Sequence, residues 1–285
     1  MALMRRLFGF VLAGALLGLF SMVPVVQGEG FTVASKSVSG DLPLDPRSSE
    51  WDKAKSVTIP LSSQIIFTPR AIVTPLGRSS VRQVDVKSLN NGTQIAIRLE
   101  WPDQTDNSGK ILEDTPYFRD AAAIQFPATG GKEQPYFGMG HQGAPVNIWQ
   151  WKSELQNDQA LRALPLGDSY AGTSSSINGR NWYDGLWTPL NPPQDKERKS
   201  PVEDLIAVGF STLSLQDSQD VMGKGVYGAG MWSVVFLRDL QTKDKEDAVL
   251  KKGGTVPVAF AVWDGSNEER DGLKSISTWH EFKVE

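Results

Sequence analysis

The 285-residue sequence contains no cysteine and only two histidines. Without thiols the chain can form no disulfide, no thioether attachment of a c-type haem, no iron–sulfur or zinc–thiolate site and no thiol nucleophile. Any redox role therefore requires a cofactor that is held non-covalently. Because disulfide staples are excluded, we expect stability to come from core packing and from a bound ligand or partner.

The sequence also lacks the motifs of the common enzyme classes. It has no G-x-S-x-G elbow, no H-E-x-x-H and no Walker-type phosphate loop. Two G-x-G-x-x-G matches, Gly138–Gly143 and Gly223–Gly228, lead into expected strands, whereas a dinucleotide site needs a strand-to-helix turn. The acidic loops Asp103–Asp106 and Asp264–Glu269 lack a full ladder of calcium ligands, which favours solvated loops. We expect no catalytic residues in this chain.

The charge distribution disfavours nucleic acid as a partner. The formal net charge is −4, and no basic patch interleaved with aromatic residues is present. At the amino terminus, Arg5 and Arg6 precede the apolar run Leu7–Phe20. This pattern predicts a secretory signal peptide over residues 1–28 and therefore export, with an uncleaved anchor as the alternative. No later stretch is long and apolar enough to cross a membrane.

Short alternating segments separated by turn residues predict an all-β fold, an antiparallel β-sandwich forming one domain over residues 29–285. Asn90-Asn91-Gly92 supplies left-handed turn residues, so Val81–Trp101 is expected to form a hairpin. The predicted strands are Ser56–Pro60, Val81–Lys87, Gln94–Trp101, Ala121–Phe126, Val146–Trp151, Leu205–Phe210, Trp232–Arg238, Val256–Trp263 and Trp279–Val284.

Three other segments depart from this rhythm. In the opening DPRSSEW, Asp45–Pro46 is expected to start a short helical turn that returns Trp51 to the core. Gly167–Pro201 is long and rich in turn residues and aromatics, which predicts a flap over a cofactor or partner, or a solvated loop. The charged segment Leu240–Lys252 is expected to be an exposed connection or a short helix.

Two stretches offer ligands of unusual chemistry. QPYFGMGHQGAPVNIWQWK, residues 134–152, places Met139 in a glycine-flanked turn ahead of an aromatic strand. GKGVYGAGMWSVVFLR, residues 223–238, places Lys224 between two glycines ahead of another. A thioether suits haem iron, and a lysine can ligate iron only as the neutral amine in a dry pocket. On the residues alone, the pattern favours a core methionine at Met139 and a solvated turn lysine at Lys224.

These stretches, with the opening LDPRSSEWDKA, resemble a group of haem b (gamma) subunits. The group serves ethylbenzene dehydrogenase, dimethylsulfide dehydrogenase, selenate and chlorate reductases and nitrite oxidoreductase, which are periplasmic molybdenum enzymes of the dimethyl sulfoxide reductase type. The resemblance implies a non-catalytic electron-transfer subunit that binds one haem b. It also implies a molybdenum-cofactor alpha subunit and an iron–sulfur beta subunit as partners, and a c-type cytochrome as electron carrier. The overall likeness leans toward nitrite oxidoreductase.

The resemblance further implies that Met139 and Lys224 are the axial ligands of the iron, with Met222 as the competitor of Lys224. His141 is too close to Met139 to reach the opposite haem face, so it would replace Met139 or contact a propionate or the partner. Trp149 lies in a strand expected to turn one face to the core and the other to haem or solvent. Cations that could meet propionates are Lys152, Arg180 and Arg238.

Two alternatives remain open on the sequence. The same opening occurs in sandwich-type carbohydrate-binding modules, so the chain could be a haem-free module that binds sugar through exposed aromatic residues. A sugar-binding module has no reason to carry the paired GMG and GKG segments. A haem-free structural subunit of the same complex is the third possibility.

Overall fold

The computed structural model describes residues 30–65, 79–108, 118–131, 133–157, 200–210 and 212–285. Within these residues the chain forms fourteen strands, two 3-10 helices, Ser49–Lys53 and Gly265–Asn267, and the short helix α1, Ser153–Asn157. The strands are β1 (Thr32–Ser37), β2 (Val57–Pro60), β3 (Ser62–Ser63), β4 (Gln83–Asn90), β5 (Gln94–Pro102), β6 (Ala121–Pro127), β7 (Val146–Lys152), β8 (Val202–Ala207), β9 (Ser214–Leu215), β10 (Met222–Gly228), β11 (Met231–Asp239), β12 (Thr255–Trp263), β13 (Ser275–Ile276) and β14 (His280–Val284).

The strands are hydrogen-bonded in the order β10-β11-β5-β4-β1-β14-β12-β6-β7-β8-β9. Short strands flank this path: β2 pairs with β4, and β13 joins β12 to β3. Strand β1 runs parallel to both of its neighbours, β4 and β14, whereas the other pairs of the described strands are antiparallel. The all-β prediction is confirmed. The sheet is not purely antiparallel, because β1 pairs in parallel with β4 of one half and β14 of the other.

The sheet folds over so that its two halves face each other across one core, as a sandwich does. Trp101 of β5 and Trp232 of β11 come from one half, and Trp151 of β7 comes from the other. The ring centroid of Trp151 lies 6.5 Å from that of Trp101 and 5.0 Å from that of Trp232. All three indoles are buried. Aromatic packing between the layers therefore holds the halves together at this end of the sandwich.

Local sequence signals placed several elements correctly. Strands β4 and β5 form the predicted hairpin, with Asn90 opposite Ile95. The side-chain oxygen of Asn91 accepts hydrogen bonds from the backbone of Thr93 and Gln94, which closes the turn. The predicted helical turn is the 3-10 helix Ser49–Lys53, and its Trp51 is fully buried.

The G-K-G segment lies ahead of the aromatic strand β11, as predicted, but the interpretation of it as a turn was wrong. Residues Met222–Gly228 form β10, which pairs with β11. A Cβ atom on Gly223 would overlap Val202, and one on Gly225 would overlap the ring of Trp151. The two glycines are therefore needed so that β10 can lie close against the facing layer, rather than to supply turn conformations.

Some predictions fall outside the described residues. The expected signal peptide lies there, as does the flap of residues 167–201 apart from its last two residues. Leu240–Lys252 contains no helix, and its Ala248 and Leu250 are buried, so it is only partly an exposed connection. Among the described residues, no helix has the length and apolar character needed to span a membrane.

Candidate functional site

The outer face of the β12-β6-β7-β8 half carries a second apolar cluster, separate from the core. Outer faces of sandwiches are usually polar, whereas most of the apolar side chains on this one are buried. Several members are alanines, which leave a flat floor. We call this surface the alanine face. Its buried members are Ala121, Ala123, Val146, Ile148, Leu205, Ala207 and Trp263, and partly buried residues packed on it are Met139, Leu213, Leu215, Ala261 and Trp279.

Met139 lies at one end of the alanine face, in a tight turn. The backbone N–H of Gly140 donates to the carbonyl of Tyr136 over 2.8 Å, and that of Gly209 donates to the carbonyl of Met139 over 2.8 Å. Met139 has a φ of 78°, a left-handed conformation that costs a non-glycine residue about 1–2 kcal/mol. Such strain persists where the surroundings impose it, and it concentrates at functional sites.

The glycines beside Met139 serve the turn itself. A Cβ atom on Gly140, whose φ is +72°, would lie 2.8 Å from the carbonyl oxygen of Ala144. On Gly138 it would collide with the ring of Tyr136. Both glycines therefore fix the direction in which Met139 leaves the turn, and they do not open a gap for a flat ligand.

Lys274 lies at the opposite end of the alanine face. It precedes Ser275, which pairs with Val262, so it sits beside Trp263 at the end of β12. Its Nζ lies 4.7 Å from the centroid of the Trp263 ring. Only 9% of Lys274 is exposed, and burial lowers its pKa to about 8. Within the described residues, its amine makes no hydrogen bond or ion pair.

A buried ion pair lies on the same outer face, at the Lys274 end, because Lys152 pairs with Ala121 and Ala121 pairs with Trp263. The Nζ of Lys152 is 2.7 Å from Oε2 of Glu203, and the two side chains are 0% and 1% exposed. Its charge is thus already matched by a carboxylate. Lys152 is therefore not a free cation for haem propionates, which was one of its predicted roles.

Lys224 lies on the other side of the molecule. It follows Gly223 and precedes Gly225, whose α-carbons face the core, so its own side chain points outward from β10. Its Nζ is 3.4 Å from Oδ2 of Asp45, and 45% of the side chain is exposed. Met139 and Lys224 therefore lie on opposite outer faces of the sandwich. The structure does not bring this predicted pair together.

His141 and Trp149 also lie away from the centre of the alanine face. Nδ1 of His141 accepts from the backbone N–H of Tyr136 at 3.3 Å, and its Nε2 is 2.9 Å from a carboxylate oxygen of Glu133. The Trp149 ring packs in the core 5.1 Å from Phe126. Its neighbour Ile148 belongs to the alanine face. The expected division of this strand into two faces is confirmed, but Trp149 is on the core side.

The chain is similar to known proteins over a region that contains both Met139 and Lys274. The family model described as ethylbenzene dehydrogenase matches residues 48–275. The chlorate reductase subunit gamma of Ideonella dechloratans is 27% identical over 241 residues, covering 85% of this chain and 79% of the relative. A protein of Haloferax mediterranei, named as a respiratory nitrate reductase haem subunit, is 26% identical over 242 residues. The match covers 85% of this chain and 68% of the relative. The dimethylsulfide dehydrogenase subunit gamma of Rhodovulum sulfidophilum is 28% identical over 187 residues, covering 64% and 52%.

Among solved structures, a family 9 carbohydrate-binding module of Caldicellulosiruptor kristjanssonii in complex with glucose aligns with a TM-score of 0.43 at 11% identity, covering 90% of this chain and 96% of the module. The family match extends from the 3-10 helix Ser49–Lys53 to β13 and so includes the alanine face with Met139 and Lys274. Its extent, with three gamma or haem subunits as relatives, confirms the resemblance that the motifs indicated. The chain therefore belongs to the ethylbenzene dehydrogenase family.

Proposed function

We propose that this protein is an electron-transfer subunit that binds one haem b on the alanine face, between Met139 and Lys274. The observation that carries the proposal is the position of these two side chains at opposite ends of one apolar surface. The names of its relatives, gamma or haem subunits of oxidoreductases, support the same role. In this proposal the chain performs no substrate chemistry.

The residues of the alanine face fit a haem. The small side chains of Ala121, Ala123 and Ala261 would leave apolar space between Met139 and Lys274 in which a planar macrocycle could stand. A thioether and a neutral amine are both able to ligate its iron. When bound, the haem would supply a one-electron ferric–ferrous couple, and thioether ligation favours the ferrous state.

Lys274 is the better amine candidate because of its surroundings. An amine binds iron only after losing its proton, and burial has already lowered the pKa of Lys274 to about 8. Lys224 has the opposite setting, since its exposed ammonium faces the carboxylate of Asp45 at 3.4 Å. Lys224 stays a sequence-based prediction, which the variants below test directly.

Tertiary contacts hold the Met139 turn in position. The indole N–H of Trp279 donates to the carbonyl of Pro135 over 2.6 Å, which ties this loop to the segment that leads into β14. Gly209, just after β8, donates to the carbonyl of Met139. Two separate elements thus fix the backbone around the thioether, as a preorganised ligand requires. Trp263 and Trp279 shield the same surface from water.

The partners in this proposal follow the relatives' names. A molybdenum-cofactor alpha subunit and an iron–sulfur beta subunit would form the rest of the complex, and a c-type cytochrome would exchange electrons with the haem in the periplasm. Support comes from relatives named as gamma subunits of a chlorate reductase and a dimethylsulfide dehydrogenase. The predicted export signal of residues 1–28 is consistent with that compartment.

The test is the visible spectrum of the purified protein supplied with haem, oxidised and reduced. We expect a Soret band with sharp low-spin α and β bands, and a pyridine adduct typical of haem b. Met139→Ala and Lys274→Ala should lose the low-spin form. Lys224→Ala, which removes an exposed lysine of the other half, should keep it, as should His141→Ala.

Two results would overturn parts of the proposal. Loss of the low-spin form in Lys224→Ala but not in Lys274→Ala would establish the sequence-based ligand pair instead. A folded protein, alone and within its complex, without a Soret band would reject the haem role. The haem-free carbohydrate-binding module would then be tested by glucan binding.

A further inference from the structure

Three aspartates from distant parts of the sequence meet at one end of the sandwich. Asp103 follows β5, Asp120 precedes β6 and Asp264 follows β12. One carboxylate oxygen of each lies within 4.8 Å of the others. Their exposures are only 4%, 0% and 8%. The expectation of solvated acidic loops is therefore wrong for Asp103 and Asp264, because sheet pairing buries both against Asp120.

The three carboxylates of the cluster have no positively charged side chain paired with them in the described part of the chain. None of the ion pairs within the described residues includes these three side chains. Burial, with the charge of Asp120 nearby, raises the pKa of Asp103 to about 7. Burial likewise raises the pKa of Asp120 to about 6. Buried carboxylates need protons or a cation, since Coulomb repulsion is strong at low dielectric.

One oxygen of the cluster is an orphan, which points to a missing ligand. Oδ1 of Asp103 accepts from the backbone N–H of Thr105 at 3.0 Å. Its Oδ2 is buried and has no hydrogen-bond partner. An unsatisfied anionic oxygen on a side chain that is 96% buried is costly, and such groups in native proteins usually have an ion or water nearby.

The other two carboxylates accept hydrogen bonds at both of their oxygens. Asp120 accepts from the backbone N–H groups of Asn107 and Gly265 and from the indole N–H of Trp232, at 2.8–2.9 Å. Asp264 accepts from the hydroxyl of Ser80 at 2.6 Å and from the backbone N–H of residue 266 at 2.9 Å. Such outer hydrogen bonds orient carboxylates that coordinate metals.

We propose that Asp103, Asp120 and Asp264 bind a calcium ion. An all-oxygen set of carboxylates selects a hard cation. Calcium suits a buried protein cage better than magnesium, which prefers to keep several of its waters. The ion would join β5 of one half of the sandwich to β6 and β12 of the other, at the end of β12 where Trp263 meets Lys274.

A second acidic cluster provides an internal comparison. One carboxylate oxygen each of Asp204, Asp220 and Asp247 also lie within 4.8 Å of one another. There, however, Nη1 of Arg238 is 3.5 Å from Oδ1 of Asp247, with both side chains buried. Oδ2 of Asp204 and both carboxylate oxygens of Asp247 are also buried without a hydrogen-bond partner, but this cluster has its own cation, and Asp220 is exposed. It therefore serves as the control site.

The first experiment measures thermal unfolding of the purified full-length chain after treatment with EDTA, with and without added calcium. We expect saturating calcium to raise Tm by about 5–10 °C. Asp103→Asn should lose this shift, whereas Asp247→Asn should keep it. In EDTA, Asp103→Asn should be at least as stable as the wild type, because one buried charge is removed.

A second measurement does not depend on any variant. Terbium bound at the site should emit when tryptophan is excited, since the Trp232 indole contacts Asp120 directly. Calcium should displace it and magnesium should not. No calcium shift in the wild type, or an equal shift in Asp103→Asn, overturns the proposal, and neither readout involves haem.

Discussion

The amine of Lys274 lies over the indole of Trp263, with Nζ 4.7 Å from the ring centroid. The contact gives a buried ammonium a favourable ring face. The ring face does not compensate for the hydration that the ammonium loses, and burial still lowers the pKa of Lys274 to about 8. This pair therefore marks a place where the fold retains a lysine at a cost to its own stability.

The cost predicts an unusual dependence on pH for the haem-free protein. The pKa of Lys274 falls from 10.5 unfolded to about 8 folded. Between these values the unfolded chain binds more protons, so the free energy of unfolding should rise as pH increases from about 8 to about 10.5. The penalty is fully present below the folded pKa.

We expect the Lys274→Met variant to lack this rise. At about pH 7 it should be more stable than the wild type by up to about 3 kcal/mol, and the two should converge near pH 10. Urea unfolding of both proteins at each pH measures the difference. A constant difference across the range would show that the lysine is not titrating inside the fold.

We expect a large coupling energy between Lys152 and Glu203 in the free energy of unfolding. Lys152→Met should destabilise the protein by about 3–5 kcal/mol, because it removes a buried ammonium that lies 2.7 Å from a buried carboxylate oxygen. Combining it with Glu203→Leu should recover much of that loss. Urea unfolding of the four proteins of the cycle gives the coupling.

The exposed pair Lys36–Glu285 is the control for this cycle. Its side chains are 54% and 38% exposed, so Lys36→Met should change stability by less than about 1 kcal/mol. Equal losses at the two pairs would contradict the buried setting of Lys152.

Gly225 should be intolerant of any side chain. A Cβ atom there would overlap the Trp151 ring, and Gly225→Ala should cost about 1–3 kcal/mol through overpacking. A Cβ atom on Gly228, in the same strand, would have no atom of another residue within 4 Å beyond its chain neighbours. Gly228→Ala should therefore stay within about 0.5 kcal/mol of the wild type. Near-ultraviolet circular dichroism, which reports tryptophan packing, should change only for Gly225→Ala.

The turn between β10 and β11 carries strain that can be removed. Its two central residues, Ala229 and Gly230, have φ values of 52° and 73°, as a type I′ hairpin turn requires. Ala229→Gly should stabilise the protein by about 0.5–1 kcal/mol. The same change at Ala34, in the extended strand β1, should destabilise it by a similar amount. A loss of stability at Ala229 as well would mean that the side chain makes packing contacts that outweigh the backbone strain.

Period-two patterns and turn residues were sufficient for much of the fold. They predicted the β4–β5 hairpin through Asn91 and the burial of Trp51. They also predicted that β7 would turn Ile148 and Trp149 to opposite faces. These features depend on neighbours within a few residues, where local backbone preference and alternation carry the information.

The same local signals missed strand β10. Alternating glycines in G-K-G look like turn residues, but Gly223 and Gly225 are required by Val202 and Trp151 of the facing layer. No pattern within β10 reveals that requirement. Its consequence is that Lys224 lies on the outer face away from Met139, although both follow similar glycine-flanked motifs.

The sequence by itself determined the fold class, the family and the chemistry that is excluded, because these depend on composition and on contiguous motifs. Only the tertiary structure decided which side chains meet. Lys274 reaches the surface of Met139 through the pairing of β13 with β12. Three aspartates converge because β5 and β12 end, and β6 begins, at the same edge. Strand order and register are set by contacts between residues far apart in the chain, so no local pattern encodes them.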